Sequence, residues 1–361
     1  MAATEQQVLD VLKTVQDPDL HRDIVSLGFI KGLSIAGETV TFRLELTTPA
    51  CPVKDRLKAE CEQKILALPG VKKVEIELTA QVRATVNTTN ESLKHIKHII
   101  AVASGKGGVG KSTVACNLAL ALRSAGATVG LLDADIYGPS QPMMLGIAER
   151  PMVVANKVVP VWSQGMKVIS MGMLIGDDAP IIWRGPMVSG IIQQFLGQVE
   201  WGALDYLVID LPPGTGDAQL TLTQQAPLSG AVIVSTPQDV ALLDARKGLR
   251  MFQQVNVPVL GIVENMSYFI CDQCEKRHTI FRQGGGKRVA EELKLPLLGE
   301  IPLDSRVAEG GDAGKPIIVS HPDSPVAKAY RELAGKVAAA LSVLSAAKGT
   351  ALPAFQMEWK K

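Results

Sequence analysis

Gly105-Lys106-Gly107-Gly108-Val109-Gly110-Lys111-Ser112-Thr113 is the stretch on which the reading of this chain turns. An apolar run, Ile99-Ile100-Ala101-Val102-Ala103, leads into it, and Val114–Leu122 opens out of it. Strand, glycine loop and helix in that order are the context a phosphate-binding loop requires. The glycines let the backbone curl until successive N–H groups point at one spot, and the helix start adds its positive end. Lys111 is placed to reach the β- and γ-phosphates, and the Ser112 hydroxyl to hold Mg²⁺. Gly105, Lys106, Gly107, Gly108, Val109, Gly110, Lys111, Ser112 and Thr113 are therefore the candidate nucleotide-binding residues. Lys106 is not part of the general pattern. A second lysine just inside the loop marks a deviant version, in which that lysine reaches a nucleotide across a dimer interface.

Downstream of the loop, apolar strand patterns alternate with helical ones, the signature of a doubly wound, mostly parallel α/β sheet. The strands are expected at His98–Ala103, Thr128–Leu132, Lys167–Ser170, Tyr206–Ile209, Ala231–Ser235, Val259–Val263 and Leu297–Ile301. In such sheets the ligand sits beyond the carboxyl ends of the strands. After Leu131-Leu132 stand Asp133-Ala134-Asp135. Asp135 is the candidate for positioning the attacking water and Asp133 for supporting the metal shell. After Leu207-Val208-Ile209 comes Asp210-Leu211-Pro212-Pro213-Gly214-Thr215-Gly216-Asp217. An acid ending an apolar strand is the Walker B arrangement for Mg²⁺, and the Pro-Pro-Gly turn is placed to sense a γ-phosphate. After Val263 stands Glu264-Asn265-Met266-Ser267. The Asn265 amide can both donate to and accept from an adenine edge.

Cys271-Asp272-Gln273-Cys274 follows at once, on what reads as a loop or hairpin. Two thiols two residues apart make a two-point metal clip. One pair does not complete a tetrahedral site, and the chain has no second Cys-x-x-Cys. Two subunits facing each other would supply four thiolates, enough for Zn²⁺ or a [4Fe–4S] cluster. His278 is a possible third ligand within one subunit. Of the remaining cysteines, Cys61 and Cys116 read as small core residues. Cys51, in a loop ahead of a helix start, is either a packed loop cysteine or a reactive thiolate.

The 361 residues carry a formal net charge of +1 and 47% hydrophobic residues, material for two packed domains. Near-zero charge argues against nucleic acid or an anionic membrane as the main partner. No apolar run approaches the roughly 20 residues needed to cross a bilayer, and Met1–Asp10 does not read as a signal peptide. Five cysteines fit a reducing compartment, so a cytoplasmic protein is expected. Ahead of the loop, helical spacing at Val8, Leu9, Leu12 and Val15, alternation over Val40–Leu46 and again over Val71–Leu78, and a helix between them describe a small α+β module. The expected organisation is that module over 1–80, a polar linker over 81–97, the nucleotide domain with its Cys-x-x-Cys loop over 98–345, and a tail over 346–361.

With these residues in place, the segment from Ile96 to Ser345 resembles the Mrp/ApbC family of iron–sulfur cluster carrier ATPases. That family lies within the deviant Walker A group that includes MinD and ParA proteins. Gly105–Thr113, Asp133–Ser140, Trp183-Arg184-Gly185-Pro186, Asp210–Asp217, Glu264–Ser267 and the Cys271/Cys274 pair all read like that family's motifs. The N-terminal module resembles the MIP18-type domain, through Asp17-Pro18-Asp19 and Thr48-Pro49-Ala50-Cys51-Pro52. The resemblance implies ATP and Mg²⁺ as cofactors, slow ATP hydrolysis, and a homodimer in which two Cys271/Cys274 pairs bridge a labile [4Fe–4S] cluster. It also implies an upstream cluster scaffold and iron–sulfur apoproteins as partners. Three other readings compete. A positioning or partition ATPase would leave the cysteine pair without a purpose. A nitrogenase-reductase-like electron carrier draws its bridging cysteines from well-separated positions. A zinc-bridged ATPase differs only in the metal.

Overall fold

A computed structural model of the chain describes residues 3–136, 138–174, 185–214, 216–281 and 284–349. The backbone divides into two compact units, residues 1–85 with 338–361, and residues 86–337.

In the first unit, helix Glu5–Leu12 starts at Thr4. The Gln7 N–H donates to the Thr4 hydroxyl while the Thr4 N–H donates to the Gln7 side chain, a reciprocal cap worth about 1 kcal/mol. Strand Thr39–Leu46 is central in a three-stranded sheet, antiparallel to Ile30–Ala36 and parallel to Lys73–Ala80. Its alternation turns Val40, Phe42, Leu44 and Leu46 inward. They share one core with Leu57, Cys61 and Ile65 of helix Lys54–Leu66.

The second unit is built on an eight-stranded sheet. In chain order its strands are β1 (Ile96–Ser104), β2 (Val129–Asp133), β3 (Val161–Ser163), β4 (Met166–Ser170), β5 (Leu204–Asp210), β6 (Gly230–Ser235), β7 (Val259–Glu264) and β8 (Leu297–Glu300). Across the sheet they lie in the order β3-β4-β2-β5-β1-β6-β7-β8. Every pairing is parallel except β3 with β4. Strands covered on both faces read as continuous apolar runs, and β1, β2 and β6 are buried along nearly their whole length. The loop strand β1 is central, so the phosphate loop leaves the sheet between β5 and β6. The parallel strands stand where the spacing predicts. Edge strand β3 was not expected: it is three residues long, too short to show a period, and it turns into β4 through Gln164 and Gly165, both at positive φ.

Within the polar stretch 81–97, the later residues are bonded into this unit. The Asn90 amide donates to the Leu196 carbonyl and the Ser92 hydroxyl to the Gly197 carbonyl, and Leu93 is fully buried. Those carbonyls end helix Gly185–Gln198 and lack partners within it. Polar residues there serve as a clasp. Trp183, Arg184, Tyr137, Thr215 and the tail from residue 350 lie outside the described residues.

Candidate functional site: a phosphate loop and a cysteine hairpin

Helix Lys111–Ser124 begins directly at the loop lysine, with Gly110 as its left-handed cap. Its first-turn N–H groups have no partner within the helix. Lys106, Gly107, Gly108, Gly110, Lys111, Ser112, Thr113 and Asp135 line one cavity of about 450 Å³. Gly105 and Val109 do not line it. A side chain at Gly105 would run into the Asp244 backbone, its Cβ 2.2 Å from the carbonyl; that glycine exists for helix packing. Val109 is buried, and its carbonyl accepts a 2.9 Å bond from the Asn265 amide. Asn265 therefore stands behind the loop, 5% exposed, with one amide N–H committed to holding the loop's curve.

Beneath the cavity the carboxyl ends of β4, β2 and β5 come level. Ser170 pairs in register with Asp133, and Asp133 with Asp210. Asp210 is fully buried and takes the Lys111 ammonium at 2.5 Å. Lys111, 6% exposed, also lies 3.7 Å from Asp135 and 3.2 Å from the Ser112 hydroxyl. Asp133 lies behind the cavity rather than in its wall. Its carboxylate accepts from the N–H groups of Asp135, Ser140 and Gln141 and from the Ser170 hydroxyl. Burial first, then the neighbouring Asp210 charge, pushes its pKa up to about 7. Asp133 thus shapes the loop that presents Asp135. On the β5 side, Leu211 donates to Val102 and Gly214 to Ser104, which stitches the Pro-Pro-Gly turn to the loop strand.

Two residues and one helix of the site are not readable in the sequence. Gln141 is fully buried, and its amide donates to the Asp210 carboxylate at 2.9 Å and to the Ser112 carbonyl at 3.0 Å. Ser170 holds Asp133. Helix Ser305–Asp312 contributes Val307, Ala308, Gly311 and Asp312 to the cavity wall. Asp304 before it is a readable cap, and its carboxylate accepts from the Arg306 N–H; Gly310-Gly311 hide the helical pattern.

The Cys-x-x-Cys stretch lies apart from this cavity. Strand pair Phe269–Ile270 with Arg277–His278 makes a short antiparallel hairpin, closed by Cys271 N–H to Lys276 carbonyl and Glu275 N–H to Cys271 carbonyl bonds. Cys271 is half-exposed and Cys274 exposed. The backbone N–H groups of Gln273 and Cys274, then the Cys274 thiol, hold the Cys271 thiol below its usual pKa. Cys51 and Cys61 behave oppositely: burial raises Cys51, and pushes Cys61 up to about 12. The alternative of Cys51 as a reactive thiolate gives way to the packed loop cysteine, 8% exposed. His278 does not complete a site, because among the described residues no three His, Cys, Asp or Glu side chains gather as a metal group.

A mostly parallel sheet with a phosphate loop at the end of its central strand, beside a strand ending in a lysine-bound acid, defines a P-loop NTPase of the MinD/ParA-like fold. The family model described as NUBPL iron-transfer P-loop NTPase matches residues 95–338, and that described as iron-sulfur cluster assembly protein matches residues 5–78. The chain belongs to the iron–sulfur cluster carrier family of P-loop NTPases. It is 54% identical to the iron-sulfur cluster carrier protein of Synechocystis sp. over 347 residues, 94% of this chain and 98% of that protein. It is 44% identical to the Escherichia coli protein of the same name, over 94% of this chain and 93% of that one. Among solved structures, a nucleotide-binding protein in complex with ADP from Archaeoglobus fulgidus matches with a TM-score of 0.58 and 43% identity, covering 65% of this chain and 92% of that one. The cell division ATPase MinD of Pyrococcus furiosus, 23% identical with a TM-score of 0.51 over 66% of this chain and 98% of its own, shares the fold.

Proposed function

We propose that this protein is an ATPase that holds a [4Fe–4S] cluster between the Cys271/Cys274 pairs of two copies and hands it to apoproteins. We place it in the cytoplasm, loaded by an upstream scaffold. The observation that carries the reading is the hairpin itself. It presents two accessible thiols, one already held toward thiolate by backbone N–H groups, which is the form that ligates iron. With no third ligand gathered on the chain among the described residues, a second copy is the simplest source of the other two thiolates. Delivery is then ligand exchange, in which acceptor thiolates replace Cys271 and Cys274 on iron.

In the nucleotide cavity, the loop N–H groups bind the phosphates of ATP, and Lys111 leaves Asp210 and Asp135 for the β- and γ-phosphates. The donor set fits Mg²⁺: the Ser112 hydroxyl and the Asp210 carboxylate are hard oxygen ligands, and this ion takes one or two carboxylates with phosphate oxygens and water. When bound, that ion neutralises phosphate charge. Asp135, in the cavity wall and steadied by Asp133, orients the water that attacks the γ-phosphorus, giving ADP and phosphate. Lys106 reaches the nucleotide of the second copy. Asn265 keeps the loop curved through one Nδ2 hydrogen on Val109; a contact to the base falls to its Oδ1 and its second Nδ2 hydrogen.

The test is anaerobic reconstitution with iron and sulfide, read by visible absorbance, iron content and molecular mass. Wild type should take up one four-iron cluster per two chains, and Cys271→Ser none, while both bind ATP equally. A loaded monomer, or uptake of Zn²⁺ with no iron, overturns the proposal.

A further inference from the structure

Two cavities of the larger unit share one helix as a wall. Val307, Ala308, Gly311 and Asp312 face the phosphate cavity. Ser305 and Arg306, at its start, line a second cavity of about 540 Å³ whose wall includes Cys271, Asp272 and Glu275. The eight residues of this helix span about 12 Å. We propose that helix Ser305–Asp312 transmits the occupancy of the phosphate cavity to the cysteine hairpin, with Arg306 as the positioning residue at its thiol end. The purpose of this link rests on the carrier reading above.

Contacts at both ends support the link. At the nucleotide end Gly311 faces Met144, whose Cγ would lie 3.9 Å from an added Cβ. Met144 ends the short helix opened by Gln141, and Gln141 bonds both Asp210 and the carbonyl of Ser112. A Cβ at Gly310 would stand 2.5 Å from the Lys315 carbonyl oxygen, so that face has no slack. At the thiol end the Arg306 guanidinium forks onto Asp304, Nε at 2.9 Å and Nη2 at 2.5 Å. Asp304 follows Leu303, whose N–H donates to the Tyr268 carbonyl at 2.7 Å, and the Ser267 N–H donates to Ile301 at 2.9 Å. The segment leading into the helix is thus stitched to the segment leading into Cys271. Arg306 and Asp272, which stands between the two cysteines, line the same cavity with opposite charges. The helix is anchored by its buried residues Gly310 and Gly311 and by its stitched lead-in, so a displacement by phosphates at Gly311 moves the helix between those anchors and reaches Arg306.

The test uses the iron-free full-length protein, so that it does not depend on a cluster. Alkylation rates of Cys271 and Cys274 by iodoacetamide are measured with and without Mg²⁺–ATP, by peptide mass spectrometry. ATP should change the wild-type rate about fivefold or more, the low end of ordinary coupling between sites. Arg306→Ala should leave ATP turnover at the wild-type level, alter the basal alkylation rate, and lose the ATP-dependent ratio; Arg306→Lys should recover part of it. An unchanged ratio in Arg306→Ala, or no ATP response in wild type, overturns the link. Failure of wild type to load iron, with the Arg306-dependent ratio intact, would instead sink the carrier reading and leave the link standing.

Discussion

Gly110 carries two requirements at one position. Its φ is +79°, and a Cβ there would sit 2.2 Å from the Asn265 Nδ2, itself buried and bonded to Val109. Left-handed backbone costs a non-glycine residue about 1–2 kcal/mol, and a displaced hydrogen bond about another 1 kcal/mol. Gly110→Ala should therefore weaken ATP binding at least about tenfold, since 1.4 kcal/mol already corresponds to that factor. Calorimetric titration checks it, and wild-type affinity would mean the loop adapts at no cost. Residues of this kind are legible because their requirement is local: glycine, lysine and serine stand at fixed spacing along one loop. Gln141 and Ser170 were not legible. Each is defined by an acid facing it from another element, and nothing in its own neighbours records that.

Elements follow the same division. Buried parallel strands announce themselves as apolar runs, and the acids that end them can be read off directly. What the runs do not record is register. Only the fold sets Asp133 opposite Asp210, and burial, then that neighbour, raises the Asp133 pKa from 3.8 to about 7. Between those values the native protein keeps a proton that the unfolded chain has released. Stability from this group is thus fully present below pH 3.8, falls as pH rises through about 7, and is level above. Urea midpoints of the nucleotide-free protein should decline between about pH 4 and about pH 7. Asp133→Asn, which cannot titrate, should flatten that decline although it forfeits the bond from the Asp135 N–H. An equal slope in both proteins would show that Asp133 is ionised throughout.

At the scale of the whole molecule, the proposed assembly rests on a mismatch in ligand number. Each chain brings two accessible thiols and, among the described residues, no further clustered ligand, whereas a four-iron cluster takes four. The Cys-x-x-Cys spacing made the shortage visible in the sequence, where Cys61 and Cys116 already read as core residues; the burial of Cys51, which closes off the last substitute, needed the fold. A counting experiment follows from this. Wild-type chains are mixed with Cys271→Ser/Cys274→Ser chains in equal amounts, allowed to exchange as apoprotein, and then loaded with iron and sulfide. If every cluster needs thiols from two intact chains, only the pairs that are wild type on both sides can load. Random pairing makes these about a quarter of all dimers. Cluster content per total chain should therefore fall to about a quarter of the unmixed value, and vary as the square of the wild-type fraction across other ratios. A fall to about half, linear in that fraction, would mean each chain completes its own site. The ATP-binding capacity of the mixture should stay constant throughout, because both chains keep the loop, and that constancy separates a lost ligand from a lost fold.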